Sequence, residues 1–177
     1  TPEREIRAYQ DETTIRVYQA YSDQIADSAL RHQTFVSPPF SMNRMTWIKP
    51  SFLWMMYRAG WGFKEEGQRR ILAIDITHEG FDWALAHSCP SHPEPGMSHD
   101  AWRALKDHSH RAIQIGLSGE AVRLYVSAWI RRITDITAFA HDICADVQAG
   151  RLEAATQKLP QEAPYRSSLA NLGDRLR

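Results

Sequence analysis

Three strand-like runs in this chain are each followed at once by a helical segment, and this arrangement restricts the fold more than any other feature. The runs are IRVYQAY (residues 15–21), RILAIDI (70–76) and RAIQIGL (111–117), all rich in β-branched and apolar residues. The hydroxyl residues Ser22, Thr77 and Ser118 come directly after them and can cap the helices. Because strands and helices alternate without the strict repetition of a doubly wound fold, we predict an α+β fold.

Weaker signals predict the remaining elements. MTWIK (residues 45–49) is biased to extended geometry by Pro50, which suits the first turn of a helix to about Ala59 with Gly60 as its C-terminal cap. A strand over residues 129–136 is favoured by its β-branched content, with a helix capped by Thr137 after it. Residues 88–110 read as a Pro-rich loop with a short helix at 98–106.

Length and composition predict one domain over residues 1–177, with an N-terminal arm (1–14) and a Pro-punctuated C-terminal tail (151–177). The chain has 43% hydrophobic residues and carries equal numbers of basic and acidic side chains, 21 of each. A neutral chain has no overall field that indicates nucleic acid or membrane as a partner. No apolar run reaches about 20 residues, and the N-terminus is charged, so we expect a cytoplasmic protein. Because the chain has only two cysteines, we expect no disulfide framework.

The stretch RMTWIKPSFLWMMYRAGW (44–61) interleaves aromatic and Met side chains with cations. Between Met42 and Arg70 the sequence contains six cationic residues and only two carboxylates, Glu65 and Glu66. Cations beside aromatic rings suit a phosphate-bearing aromatic ligand, whereas a core stripe with a solvated basic face is the simpler interpretation. The candidate ligand contacts are Arg44, Thr46, Trp47, Lys49, Ser51, Tyr57 and Arg58.

Two strand ends supply further candidates. Tyr18, Gln19 and Tyr21 end the first strand, and an amide such as that of Gln19 inside a half-buried strand needs hydrogen-bond partners. Gln114 and Glu120 belong to the 111–117 strand and the helix after it, where a carboxylate either interacts with the helix dipole or acts as a general base. Both interpretations of these residues remain open at this stage.

Metal, phosphate-loop and serine-hydrolase chemistry have little support in the sequence. His87, Cys89 and His92 are close together, but CxxC and HExxH pairs are absent. The chain also lacks GxGxxG, Walker and GxSxG motifs. We therefore predict no metal site.

Four segments of the chain carry a likeness to a known family: REIRAYQDETTIRVYQAYSDQIADSAL, RMTWIKPSFLWMMYRAGWGFKEEGQRRILAIDI, RAIQIGLSGEAV and LPQEAPY. Together they resemble the DUF4291 family of bacteria and fungi, a domain of unknown function, over about residues 4–165. The resemblance implies an ADP-ribosyltransferase-like fold, a split antiparallel sandwich with a cleft for nicotinamide adenine dinucleotide (NAD) as substrate. It implies that Tyr18 to Tyr21 and residues 44–58 line this cleft, with Glu120 as the candidate acid. Trp47 or Tyr57 would stack on the ring, and Arg44, Lys49 or Arg58 would meet phosphate.

One departure from the family bears on activity. Family members are expected to carry a QWDPER-like strand before an RSIQIGL-like segment, whereas this chain has SHPEPGMSHDAWRALKDHSH and Ala112 in place of the serine. This chain then either uses other catalytic groups or is inactive.

Three functions compete: a nucleotide-dependent transferase with an unknown acceptor (nucleic acid, protein or small molecule), an RNA- or phosphate-binding module, and a tailoring enzyme acting on a small metabolite.

Overall fold

The computed structural model describes residues 6–91 and 113–166 of the chain. Its strands are β1 Arg7–Ala8, β2 Thr14–Tyr21, β3 Thr46–Ile48, β4 Arg70–Thr77, β5 Cys89–Ser91, β6 Gln114–Leu117, β7 Ile130–Asp135 and β8 Ala163–Pro164. Its α-helices are α1 Asp23–His32, α2 Phe52–Ala59, α3 His78–His87, α4 Glu120–Leu124, α5 Thr137–Gln148 and α6 Leu152–Lys158. This is a single-domain α+β fold with split antiparallel sheets, as predicted at the level of fold class.

The larger sheet has the order β2-β4-β7 and is antiparallel throughout. Strand β4 is central, and Ile71 to Ile76 are all buried. This confirms the prediction that the apolar run at 70–76 is covered on both faces. The register pairs Thr14 with Thr77 and Tyr21 with Arg70, so β2 and β4 match over their full lengths.

The smaller sheet has the order β3-β6-β5. The two sheets meet at an isolated antiparallel bridge, where the Tyr18 N–H donates to the Lys49 carbonyl over 2.8 Å. The Gln19 side chain adds a second connection by donating to the Trp47 carbonyl over 3.1 Å. Residues of both sheets beside this junction line a cleft.

Two groups of buried side chains cover the two faces of the larger sheet. Ile15, Val17 and Ile74 face a group that includes α1, α3 and β6. Tyr18 and Ala73 face a second group formed by α2, α5 and α6. The alternation of side chains along β2 and β4 produces this separation, because neighbouring residues of a strand point to opposite faces.

Several local predictions are confirmed. Ser22 caps α1 by accepting from the Ile25 N–H, and Thr77 caps α3 by accepting from the Gly80 N–H over 3.0 Å. Gly60 ends α2 in the left-handed conformation, with φ of 54°, which a glycine adopts without steric cost. Residues 130–135 form strand β7, as their β-branched content predicted.

Other predicted helix starts are wrong by one or two residues. Gly119, with φ of 55°, rather than Ser118 precedes α4, and no side chain caps this helix. Helix α4 then widens into a π-turn over Tyr125–Trp129. Helix α2 has Ser51 as its N-cap and begins at Phe52, two residues later than predicted from Pro50.

Helix α5 differs from its prediction in which residue supplies the cap. Ile136 is the N-cap residue and supplies no side-chain cap, whereas Asp135 accepts the N–H of Thr137, the first residue of the helix that Thr137 was expected to cap, over 2.9 Å. The Thr137 hydroxyl instead accepts from the Ile71 N–H over 2.9 Å. Thr137 therefore ties the start of α5 to β4.

The predicted arm and tail contribute ordered elements. Strands β1 and β8 pair with each other, and the Tyr165 N–H donates to the Ile6 carbonyl over 2.7 Å. The tail also forms helix α6, which the prediction of a Pro-punctuated tail did not include. Glu162 accepts the Phe52 N–H over 2.9 Å, and burial raises the pKa of this carboxyl to about 7.

Of the segment predicted as a loop at 88–110, the described residues are 88–91. Cys89–Ser91 form β5, which corrects the loop prediction at those three residues. The predicted short helix at 98–106, Ala112 and the rest of the family departure lie outside the described residues. Within residues 6–91 and 113–166, no helix has the length and apolar character needed to cross a membrane.

Candidate functional site

A cleft of about 560 Å³ lies beside the junction of the two sheets. Its floor is the end of β2 with strand β3, and its walls come from α1, the 39–45 segment, α2, the 65–68 turn and the start of β6. This volume falls in the range of small-molecule sites, roughly 300 to 1,000 Å³. The lining residues are Gln19, Ala20, Tyr21, Ser22, Ile25, Pro39, Phe40, Ser41, Arg44, Met45, Thr46, Trp47, Lys49, Met55, Arg58, Glu65, Gly67, Gln68 and Gln114.

Three cations line this cleft: Arg44, Lys49 and Arg58. The two arginines are exposed, whereas Lys49 is only 7% exposed. Burial, together with the nearby positive charge of Arg58, lowers the pKa of Lys49 to about 8. Among the described residues, no carboxylate forms an ion pair with any of the three.

A chain of hydrogen bonds fixes the floor of the cleft. The Tyr125 hydroxyl, from the π-turn, donates to Gln19 Oε1 over 2.7 Å. Gln19 Nε2 then donates to the Tyr21 hydroxyl over 3.0 Å and to the Trp47 carbonyl. Tyr21 Oη therefore accepts from Gln19, and its hydroxyl is also hydrogen-bonded with that of Thr46.

Burial raises the pKa of both Tyr21 and Tyr125 above the usual value, so both hydroxyls keep their protons at neutral pH. The buried Gln19 amide therefore has all its partners within the protein, which answers the question that its position in the strand raised.

Replacing Tyr125 with phenylalanine is expected to lower the free energy of unfolding by about 1 to 2 kcal/mol, because Gln19 Oε1 becomes a buried acceptor without its donor. Urea unfolding followed by circular dichroism measures this change. Tyr9→Phe is the control, since Tyr9 is 43% exposed. Equal stability of both variants would show that the Tyr125–Gln19 bond contributes nothing.

One wall of the cleft is formed by side chains that lie over Gly116 of β6. A Cβ at this glycine would approach Trp47 Cη2 to 2.9 Å and Met45 Sδ to 3.0 Å. The absence of a side chain at residue 116 therefore lets Trp47 lie close against the neighbouring strand. This contact holds an aromatic ring at the edge of the cleft.

The structure brings together eight of the twelve residues predicted for the site. These eight are Gln19, Tyr21, Arg44, Thr46, Trp47, Lys49, Arg58 and Gln114. They come from four separate parts of the chain, and strand pairing between β3 and β6 brings Gln114 to the others.

The other four predicted residues lie away from the cleft lining. Tyr18 is 1% exposed and contacts Phe52 edge to face, and the Ser51 hydroxyl caps α2 by accepting from the Trp54 N–H over 3.2 Å. Tyr57 is half-buried on α2, and Glu120 is exposed at the start of α4. Their predicted roles in binding and catalysis stay predictions.

Sequence reasoning missed two residues that matter to the site. Glu65 is a carboxylate in the cleft lining, and the sequence indicated only its charge. Tyr125 supports Gln19 from 106 residues further along the chain, and no local pattern signals such a partner. A Tyr inside an apolar helical stretch carries only the general expectation that its hydroxyl has a partner.

No group of three or more potential metal ligands lies close together in the described parts of the chain. His87 stacks on Trp83, with ring centroids 4.2 Å apart, and its Nδ1 contacts the Trp83 carbonyl. The Cys89 side chain and His92, the other members of the weighed cluster, lie outside the described residues.

A family model described as "Domain of unknown function (DUF4291)" matches residues 5–108 and 99–165. Comparison with curated proteins and with solved structures finds no match.

Proposed function

This chain belongs to the DUF4291 family, and from its cleft we propose that it binds a phosphate-bearing nucleotide, with NAD as the donor in an ADP-ribosyl transfer to an unknown acceptor. The proposal includes the ADP-ribosyltransferase-like character of the fold. It rests on the cleft residues and on the resemblance of the sequence.

The observation that carries the proposal is a group of three cations in one cleft, Arg44, Lys49 and Arg58, without a described carboxylate partner. Lys49 is the buried member of the group, and burial of its positive charge without a described counter-charge costs free energy that an anionic ligand offsets. Arginine binds phosphate through a planar fork of donors and stays charged at every physiological pH. We therefore assign the phosphates to Arg44 and Arg58, with Lys49 adding to the positive potential.

The remaining lining supplies what a nucleotide requires. The Trp47 ring offers a surface for stacking, and Thr46 adds a hydroxyl to the lining. The bond between nicotinamide and ribose breaks through an oxocarbenium-like state, which a nearby carboxylate stabilises. Glu65 is the carboxylate in the described lining, and Glu120 remains the candidate from the sequence.

Isothermal titration with NAD tests the binding step. We expect saturable binding that weakens roughly tenfold to a hundredfold in Arg58→Ala, since hydrogen bonds to charged groups contribute about 1.5 to 3 kcal/mol. Arg123→Ala is the control, because Arg123 is an exposed arginine outside the cleft lining. Equal affinity of both variants, or no binding by the wild type, would overturn the assignment.

The chemical step has its own measurement. Release of nicotinamide by the wild type, lost in Glu65→Gln and kept in Glu120→Gln, would assign the acid to the cleft, and the reverse pattern would assign it to Glu120. Binding of unrelated single-stranded oligonucleotides that falls steeply with added salt, without saturable NAD binding, would favour a nucleic-acid-binding module instead.

A further inference from the structure

Lys49 combines burial, lack of a partner and access to the cleft. It is 7% exposed and lines the cleft, and no described residue forms a hydrogen bond or ion pair with its side chain. Its backbone is fixed, because its carbonyl accepts the Tyr18 N–H. A buried lysine in an ordinary structural role is paired with an acid or a carbonyl, and among residues 6–91 and 113–166 this one has neither.

Four charged or titratable side chains share the described cleft lining with Lys49. They are Arg44 from the preceding segment, Arg58 from α2, Glu65 from the 65–68 turn and Tyr21 from β2. Arg58 acts directly on Lys49 by repulsion, which together with burial favours the neutral amine. A lysine desolvated next to another cation is a recognised form of activated amine nucleophile.

We propose that Lys49 is an imine-forming lysine, whose amine adds to the carbonyl carbon of a phosphate-bearing aldehyde or ketone held in this cleft. The arginines bind the phosphate, and the amine faces the carbonyl. Open-chain sugar phosphates belong to this chemical class. The inference goes beyond the proposed function, because it uses the same cleft but requires neither NAD nor a carboxylate near a ribose.

The step balances without an oxidant, a reductant or a metal. The amine lone pair forms the C–N bond, and the carbonyl oxygen takes up a proton as the tetrahedral carbinolamine forms. Loss of the second amine proton and departure of the oxygen as water leave the C=N bond. At pH 7 about a tenth of Lys49 side chains are neutral, a fraction roughly 300-fold larger than for an ordinary lysine.

The chain suits a labelling experiment because it has only four lysines: Lys49, Lys64, Lys106 and Lys158. Lys64 is exposed, and Lys158 is paired with Asp142 and Asp146 at 2.8 and 2.6 Å. Lys106 lies outside the described residues. Each lysine falls in a different peptide after cleavage at arginine, so the label can be placed by mass spectrometry.

Pyridoxal 5′-phosphate is a suitable probe, because it carries an aldehyde, an aromatic ring and a phosphate. The full chain is incubated with the probe at pH 7, borohydride reduces any imine to a stable secondary amine, and the labelled peptides are quantified. We expect Lys49 to be labelled at least about tenfold faster than Lys64. Inorganic phosphate should slow this labelling, and Arg58→Ala should slow it as well.

Lys49→Arg separates the imine from simple anion binding. Arginine keeps the positive charge but cannot form an imine, so the variant should bind inorganic phosphate and lose the cleft label, while Lys64→Met keeps it. Labelling of Lys49 no faster than Lys64, with phosphate still bound, would overturn the proposal and leave Lys49 as an anion-binding cation. Titration of NAD in parallel distinguishes this failure from a failure of the proposed nucleotide binding.

Discussion

Replacing Lys49 with methionine is expected to stabilise the protein at pH 7 by about 3 kcal/mol while weakening the binding of phosphate-bearing ligands at least about tenfold. The expectation follows from burial of the ammonium beside Arg58, which lowers the pKa of Lys49 from 10.5 to about 8. Methionine has a similar length and no charge, so it fills the space without the desolvation cost. The loss of binding follows from removal of one of three cations.

The gain in stability should depend on pH in a defined way. Below pH 8 Lys49 is charged in both the folded and the unfolded chain, and the full cost of burial is present. Between pH 8 and 10.5 the folded chain releases the proton while the unfolded chain keeps it, so the wild type gains stability relative to Lys49→Met. Above this window the amine is neutral in both states and the difference is smallest.

Urea unfolding of wild type and Lys49→Met at pH 7 and at pH 10 measures this window, with Lys64→Met as the control for removal of an exposed lysine. A methionine variant that is less stable than the wild type at pH 7 would contradict the prediction. Such a result would mean that the ammonium has an anionic partner in the folded chain.

Replacing Gly80 with alanine should lower the free energy of unfolding by about 2 kcal/mol, although alanine is the better helix former by roughly 1 kcal/mol. An added Cβ would lie 2.4 Å from Cγ of Trp129 and 2.7 Å from its Cδ1 and Cδ2. Trp129 is 6% exposed and contacts Trp83 and Tyr125, so its ring has little room to move. The clash therefore outweighs the helix propensity.

Thermal or urea unfolding measures the loss, and Gly67→Ala is the control because nothing lies within 4 Å of a Cβ at that position. A second mutation supports the interpretation: Gly80→Ala with Trp129→Phe should be less destabilised than the sum of the single changes, since the smaller ring makes room for the methyl group. Strict additivity, or a Gly80→Ala variant as stable as the wild type, would contradict it.

The sequence predicted the elements that depend on local chemistry. The alternation in residues 15–21, the apolar run at 70–76 and the caps Ser22 and Thr77 all have their cause within a few residues, and the structure contains each of them. Helix α6 could have been found as well, because LEAATQK consists largely of strong helix formers. Pro160 and Pro164 in the same tail favour irregular structure, and the prediction followed them instead.

Features that depend on distant residues could not be predicted in the same way. Residues 44–61 contribute both to the core and to the cleft wall. Phe52 and Trp54 are buried in α2, whereas Trp47, Lys49 and Arg58 line the cleft. The division follows from the pairing of β3 with β6 in the smaller sheet, which composition does not encode. Likewise, the π-turn contains Tyr125 and Trp129, whose partners Gln19 and Trp83 are distant in the chain.

The bridge between Tyr18 and Lys49 has a consequence for how occupancy of the cleft is transmitted. Its N–H to carbonyl bond joins the two sheets at the same residue whose side chain lines the cleft. Any ligand that immobilises Lys49 also holds the sheets together at this point, so separation of the sheets becomes rarer. Hydrogen exchange at the Tyr18 backbone amide then slows in proportion, and this one amide reports from within the core on whether the cleft is filled.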